Sequence, residues 1–237
     1  MNQLLGVLMR FRQEPVAVTA DIEQMFYALK VKDEHRRFLR FLWYENNNPA
    51  ADIVTYQMTI HIFGNKPSPA VSISGLRKTA QEAEKQFGSD VRDLVENNFY
   101  IMNDVLKSLP TVEDTVNLLK RTRDMLATAN IRLHKFASSS AEVLASFDQE
   151  ELAPNLTVSD LSSKNEEAIQ RTLGVCWDLK SDSFTFRVAA SNNKPSTKRM
   201  VLSEVNGVYD LIGLAAPVVI KGQNASAGND SRWRELG

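Results

Sequence analysis

The residues with the clearest potential for chemistry lie in a short stretch between Asn97 and Ser108. Apolar and aromatic residues flank a polar tip, Met102-Asn103-Asp104. This pattern is typical of a tight β-hairpin, because Asn and Asp adopt turn conformations that most residues resist. A hairpin that presents an acid in apolar surroundings is a candidate for a metal or catalytic site. Taken alone, the stretch fits an ordinary surface turn better.

A second acid follows a run of residues that predicts a buried strand. Val16 to Ala20 are apolar apart from Thr19, and Asp21 comes directly after them. An acid at the end of a strand can meet the acid of a hairpin across a sheet. Two carboxylates brought together in this way are what a pair of Mg²⁺ ions needs for in-line phosphoryl transfer.

Two further motifs complete an ordered set. The turn Phe63-Gly64-Asn65-Lys66-Pro67-Ser68-Pro69-Ala70 lies between the two acids, and Leu133-His134-Lys135 follows the hairpin. In this order the motifs resemble the reverse transcriptase domain of retrotransposon polyproteins, most closely the BEL/Pao group of LTR elements. The resemblance runs from about Leu4 to about Lys221.

One departure from the family lies in the hairpin. The family's hairpin reads Tyr-x-Asp-Asp. Here Tyr100 is followed by Ile101-Met102-Asn103-Asp104, which is one residue longer. Asn103 stands where the first Asp belongs, so this position offers a neutral oxygen and no negative charge.

The resemblance implies a two-metal polymerase site, so we expect Asp21 and the Asn103-Asp104 turn to be neighbours on one sheet. Asp21, helped by the carbonyl of Ile22, and Asp104 would hold Mg²⁺, and Asn103 would occupy the position of the family's other hairpin acid. Lys135 would protonate the leaving pyrophosphate. A solvated lysine on an edge strand is a serious alternative for Lys135.

The resemblance also implies sites for a nucleotide and a primer. Phe26 would lie under the sugar and exclude a ribose 2′-hydroxyl, which is compatible with a core position beside Met25. Gly64 permits close approach of the backbone to a base or sugar, although a turn feeding a helix also has a purely structural explanation. The expected nucleotide-binding residues are Ile22, Phe26, Phe63, Gly64, Lys66, Ser68, Pro69 and Tyr100. The expected primer-binding residues are Leu173, Gly174, Val175 and Trp177.

The composition is that of an ordinary globular protein. The chain has 237 residues, a hydrophobic content of 43% and a net charge of −1. Near-neutral charge argues weakly against strong nucleic-acid binding, without excluding local basic patches. Cys176 is the single cysteine, so no internal disulfide forms, and an intracellular location fits. The three histidines are far apart and lack partner cysteines, so we expect no zinc site, and the apolar start is too short to span a membrane.

Hydrophobic periodicity predicts an α+β fold. Helices are expected over residues 3–12 and 70–86 and from 110–114 onwards, strands over 16–20, 38–44, 56–62 and 131–136, and a hairpin through Ser181-Asp182-Ser183. Together with the resemblance, this order matches a polymerase palm, an antiparallel sheet with helices on one face, with largely truncated fingers. The expected organisation is a palm over 1–147 with a partial fingers hairpin near 38–63, a linker over 148–168, a primer-grip hairpin and thumb or connection start over 169–221, and a disordered tail over 222–237.

These features favour an RNA-directed DNA polymerase domain that uses Mg²⁺, an RNA or DNA template-primer and deoxynucleoside triphosphates. Three observations predict little or no activity: Asn103 replaces an acid, the hairpin is one residue too long, and the fingers segment before Asp21 is almost absent. A truncated and degenerate copy is therefore expected. The alternative is a catalytically inactive remnant retained as a nucleic-acid-binding or protein-interaction module, and the ordered motifs disfavour an unrelated α+β scaffold.

Overall fold

The chain forms two compact units, residues 1–157 and 158–237, in this computed structural model. The structure describes residues 4–100, 104–162, 168–172, 175–185, 199–200, 203, 207, 210, 213 and 215–227. Helices and antiparallel sheets together make the fold α+β, which confirms the predicted class. Within the described ranges, no helix has both the length and the apolar character needed to cross a membrane.

The first unit contains most of the secondary structure. Its helices are α1 (Leu4–Phe11), α2 (Asp33–Arg36), α3 (Ser68–Phe87), α4 (Ser89–Asn98), α5 (Val112–Thr128) and α6 (Ala141–Leu144). Its strands are β1 (Val16–Ile22), β2 (Arg40–Tyr44), β3 (Ile53–Gln57), β4 (Phe99–Tyr100), β5 (Asp104–Leu109) and β6 (Leu133–Ser138). Short 3₁₀ turns follow β1, β2 and α6.

A four-stranded antiparallel sheet lies at the centre of this unit, in the order β4-β5-β1-β6. Strand β1 is buried from Ala17 to Ala20, so both of its faces are covered. Helix α5 contacts β1, β5 and β6, and α3 packs against α4 and α5. Burial of a large apolar side chain contributes about 1.5–3 kcal/mol, and the fully buried set includes Phe11, Leu106, Leu119, Leu126 and Phe136. This core fixes β1 and β5 side by side.

Helix α1 covers one end of one sheet face. The Ser108 hydroxyl donates to the Arg10 carbonyl and accepts from the Glu14 N–H, both at 3.0 Å. Ser108 lies opposite Ala17, and strand alternation puts Thr19 and Asp21 on the same face. Asp21 lies at the other end of this ladder, where it is only half-buried. The fold therefore closes the sheet at the Ser108 end and leaves the Asp21 end accessible.

Strands β2 and β3 form a separate two-stranded hairpin, and the predicted strand over 56–62 is placed too late. The ladder runs from Arg40 opposite Gln57 to Tyr44 opposite Ile53. Beyond Gln57 the chain leaves β2 and pairs with another segment, through a bridge between Lys30 and Ile60. The alternation of apolar residues across 56–62 thus spans two different pairings, which the sequence pattern does not distinguish.

The boundary between the units falls after Thr157, inside the predicted linker. The early part of that linker packs onto the first unit, because Leu152 and Leu156 are buried and Leu152 bridges to Phe136 of β6. A short helix, α7 (Val158–Ser162), opens the second unit. Residues 148–162 therefore carry more structure than a loop.

The second unit has a three-stranded antiparallel sheet, β7 (Ile169–Thr172), β8 (Val175–Asp178) and β9 (Ser183–Thr185), in that order. The predicted hairpin through Ser181-Asp182-Ser183 is the β8–β9 connection. Helix α8 (Ala216–Ala227) continues through residues that we predicted to be disordered. Residues 222–227 of the predicted tail lie in this helix, and residues 228–237 lie outside the described residues.

Candidate functional site

Strands β1 and β5 place two acids directly opposite each other. Asp21 lies near the end of β1, and Asp104 is the first residue of β5. The antiparallel register pairs them, as the sequence analysis expected. Paired residues project their side chains to the same face with Cα atoms about 4.5–5.5 Å apart. The fold thus brings together two carboxylates that are far apart in the sequence.

A β-bulge in β6 brings a lysine to the same position. Thr19 pairs with Ala137 but Asp21 pairs with His134, so β6 has one more residue than β1 across this interval. Lys135 lies in the bulge with φ of 55°, a left-handed conformation that costs a non-glycine residue about 1 kcal/mol or more. Its ammonium lies 2.7 Å from Asp21 Oδ2. Bulges of this kind re-aim side chains, and here His134 and Lys135 both approach Asp21.

Two groups of this cluster, Asp104 and His134, have shifted pKa values. Burial raises the pKa of Asp104 to about 6, the nearby Asp21 charge adds to the increase, and Lys135 opposes it. Burial and the Lys135 charge lower the pKa of His134, so its imidazole is neutral at pH 7. His134 Nε2 lies 4.0 Å from Asp21 Oδ2, which is too far for a hydrogen bond. A positive charge between the two carboxylates would remove their mutual repulsion.

A second ion pair extends this edge of the sheet. The Glu23 carboxylate accepts from the Arg132 guanidinium at 3.0 Å, and the Glu23 N–H donates to the Arg132 carbonyl at 2.9 Å. Ile22 is buried opposite Leu133, so only its backbone is a candidate for ligand contact. These contacts hold the two residues that follow Asp21 against β6 and the residue before it.

The donor set fits a divalent cation in part. Two carboxylates that repel each other and share a half-buried edge suit Mg²⁺, which prefers oxygen ligands. Within the described residues no group of three or more His, Cys, Asp or Glu side chains is placed to hold a metal. The resemblance implies a further ligand position at Asn103, and this residue lies outside the described residues. The fit therefore rests on Asp21 and Asp104.

Two of the predicted nucleotide-binding residues are close neighbours. Phe26 lies in the 3₁₀ turn Met25–Ala28 that follows β1, and its ring centroid is 6.2 Å from that of Phe63. Phe63 is 86% exposed. Gly64 has φ of +83°, and a Cβ there would meet nothing within 4 Å, so its turn requires glycine for conformation and not for space. An aromatic pair next to an open turn suits contact with a flat ring.

The other predicted nucleotide-binding residues differ in accessibility. Lys66 and Pro69 are exposed. Ser68 is fully buried as the first residue of α3, and its hydroxyl lies 3.1 Å from His61 Nδ1. Its hydroxyl therefore supports the turn and is not open to a ligand. Tyr100 pairs with Asp104 in the β4–β5 ladder.

The predicted primer-binding residues belong to the second unit. Val175 and Trp177 are buried in β8, and the Trp177 indole N–H donates to Asp182 Oδ1 at 2.9 Å. Trp177 is thus a core residue of its own sheet. Leu173 and Gly174 lie outside the described residues.

Three contributors to this region were not predicted from the sequence. His134 stands inside a quoted motif, but no role was given to it. The Glu23–Arg132 pair joins residues that are 109 positions apart, which no local pattern reveals. Paired acids and bases at strand ends are the only sequence signal for it. The His61–Ser68 contact had only a weak sequence signal, which is a pair of polar residues, one before the predicted turn and one inside it.

Comparison with known proteins does not identify this chain. It matches no protein-family model, and no curated protein is similar enough to be matched.

Proposed function

We propose that this chain is the palm of an RNA-directed DNA polymerase of the reverse transcriptase type, with a metal and nucleotide site at the Asp21–Asp104 edge of its sheet. The observation that carries the proposal is the register that sets Asp21 opposite Asp104, directly after the β4–β5 hairpin. Lys135 reaches the same edge from 114 residues away. Three separate motifs, predicted to act together, thus meet on one face.

Each residue has a physical role under this proposal. Asp21 and Asp104 hold Mg²⁺, which when bound activates a primer 3′-hydroxyl and offsets phosphate charge. Lys135, 43% exposed, carries a proton at Nζ that it can deliver to a leaving pyrophosphate. Phe26 and Phe63 offer aromatic surface to the sugar and base of a deoxynucleoside triphosphate.

The proposal includes weak catalysis. Asn103 supplies no charge where a second hairpin acid belongs, and the extra residue before it changes the register of the turn. Positional errors near 1 Å already cost on the order of a hundredfold in rate. We therefore expect the chain to bind a divalent cation and a nucleotide but to extend a primer only weakly.

One observation favours the second candidate, a nucleic-acid-binding module without catalysis. Strand β2 of the β2–β3 hairpin exposes two aromatic rings, Phe41 and Trp43, and Phe41 stacks on the half-buried Tyr56 of β3 with centroids 5.7 Å apart. Arg40 lies on the same hairpin, and the Arg37 guanidinium lies over the Phe38 ring just before it. Aromatic rings interleaved with arginines form the surface on which single-stranded bases stack.

A primer-extension assay separates the two candidates. It compares the chain with a repaired variant, in which Ile101 is deleted and Asn103→Asp is introduced, on an RNA template with Mg²⁺ and then Mn²⁺. Both are fused to a complete fingers segment. The matched control is the repaired variant with Asp21→Asn. Extension that appears on repair and disappears with Asp21→Asn supports the polymerase proposal. Retained template binding with no extension after repair supports the binding module.

A further inference from the structure

A cavity in the first unit adjoins the Phe63–Ala70 turn, which supplies two of its lining residues, Asn65 and Pro67. Its volume is about 630 Å³, within the range of about 300–1,000 Å³ that small-molecule sites occupy. It is open on one side and is lined by the segment around Lys30 to Leu39, by His61 and by the start of α3. We name it the Lys30 cavity. Asp21, Asp104 and Lys135 are not among its lining residues.

The walls of the Lys30 cavity are built by backbone pairing. The Val31 N–H donates to the Thr59 carbonyl and the His61 N–H donates to the Leu29 carbonyl, both at 2.9 Å. The Lys30–Ile60 bridge lies between them. This short ladder fixes the positions of the residues on both sides of the cavity.

One wall carries a fixed polar group. His61 lines the cavity, yet it is only 8% exposed. Its Nδ1 lies 3.1 Å from the buried Ser68 hydroxyl, so the ring is held in one orientation. A ligand in the cavity meets an imidazole whose position is already set, which lowers the entropy cost of binding.

The charge around the Lys30 cavity is positive. Two lysines, Lys30 and Lys32, line it, and none of its lining residues is acidic. Helix α3 begins here with no acid in its first turn, so the partial positive charge of its N-terminus adds to the field. Of the nearest acids in sequence, Asp33 pairs with Arg36 at 2.7 Å, and Glu34 lies 3.6 Å from His35, which is itself a lining residue.

The remaining lining is apolar. Phe38, Leu39 and Val71 contribute side chains, and Phe38 is 70% exposed at the surface. A cavity that combines apolar side chains with lysines suits a ligand that has both an apolar body and a negative charge. We propose that the Lys30 cavity binds a small amphipathic anion, a molecule with a compact apolar body and one acidic group. The proposal is independent of the polymerase proposal.

The test uses two probes that share an apolar body. The anion 8-anilinonaphthalene-1-sulfonate and the uncharged N-phenyl-1-naphthylamine are titrated into the full chain, with dye fluorescence as the signal. We expect saturable one-to-one binding of the sulfonate, which tightens at low salt. In Lys30→Ala/Lys32→Ala the sulfonate should bind about tenfold more weakly, whereas the uncharged probe should change less than twofold. Lys78→Ala, an exposed lysine of α3 outside the cavity, is the matched control.

A second variant fills the cavity. Val71→Phe should weaken both probes, and Ala70→Phe, an exposed neighbour outside the lining, should weaken neither. Unchanged sulfonate affinity in the double lysine variant, equal loss of both probes there, or full binding to Val71→Phe would each overturn the proposal. Absence of sulfonate binding at millimolar concentration would also overturn it. Matching circular dichroism and unfolding curves establish that the variants are folded.

Discussion

Replacing Asp104 with asparagine should stabilise the protein at neutral pH. Burial and the facing Asp21 charge raise the pKa of Asp104 from 3.8 to about 6. The folded state therefore binds this proton more tightly than the unfolded chain does. The stabilisation from protonation is complete below about pH 4 and is lost as the pH rises through 6. Above pH 6 the ionised Asp104 destabilises the fold, and Asp104→Asn removes that cost.

The size of the effect follows from the shift. A shift of about two pKa units at about 1.4 kcal/mol per unit gives an upper bound of about 3 kcal/mol. Partial solvent exposure of the pair reduces this to about 1–2 kcal/mol in the free energy of unfolding. For a unit of this size that corresponds to a rise in Tm of about 3–6 °C.

The assay is thermal and urea unfolding of the chain and of Asp104→Asn at pH 8, 7, 6, 5 and 4. The stability advantage of the variant should be full at pH 7–8 and vanish by pH 4. Asp52→Asn, which changes an exposed aspartate in the loop before β3, is the control and should show no such profile. If Asp104→Asn were less stable than the parent chain at pH 8, burial of an ionised Asp104 would not destabilise the fold. The same would follow if the stability difference between the two chains were equal at every pH.

Three further predictions concern stability. Lys135→Gly should be about 1 kcal/mol more stable than Lys135→Ala in urea unfolding, because both lose the ion pair but only glycine fits φ of 55° without strain; equal stabilities would exclude strain at the bulge. Gly88→Ala should lower the free energy of unfolding by about 1–3 kcal/mol, because φ at this position is +101° and the new Cβ would lie 2.6 Å from Asp90 Oδ1 and 2.7 Å from Arg121 Nη1. An unchanged Tm in thermal unfolding would contradict this. Thr111→Ala should cost about 1 kcal/mol by removing the N-cap of α5, and Thr111→Ser should restore most of it in the same assay.

Local patterns were sufficient for the elements that hold the acids. The apolar run before Asp21 forms β1, and β5 begins at Asp104, directly after the predicted polar tip. The helix predicted from 110–114 onwards begins at Val112, with the acids of its first turn at the positive end of the helix dipole. In each case the signal lies within a few residues of the feature. The pairing of Asp21 with Asp104 required, in addition, the ordered resemblance.

Other features depend on long-range contacts. The bulge at Lys135 arises because β6 must pair with β1 on both sides of an extra residue, and lysine has no preference for positive φ that a pattern could reveal. The end of β3 depends on Ile60 pairing with Lys30 instead of with β2. The raised pKa of Asp104 depends on burial that only the packed sheet creates.

Titration with Mn²⁺, followed by the electron paramagnetic resonance of the free ion, tests the central claim most directly. The account predicts that the chain binds Mn²⁺ at the Asp21–Asp104 edge and that Mg²⁺ competes. Asp21→Asn and Asp104→Asn should each weaken binding at least tenfold, because each removes one of the two carboxylates. Asp52→Asn should bind as the parent chain does. Mn²⁺ binding that is absent from the parent chain, or unchanged in both site variants, would contradict the account.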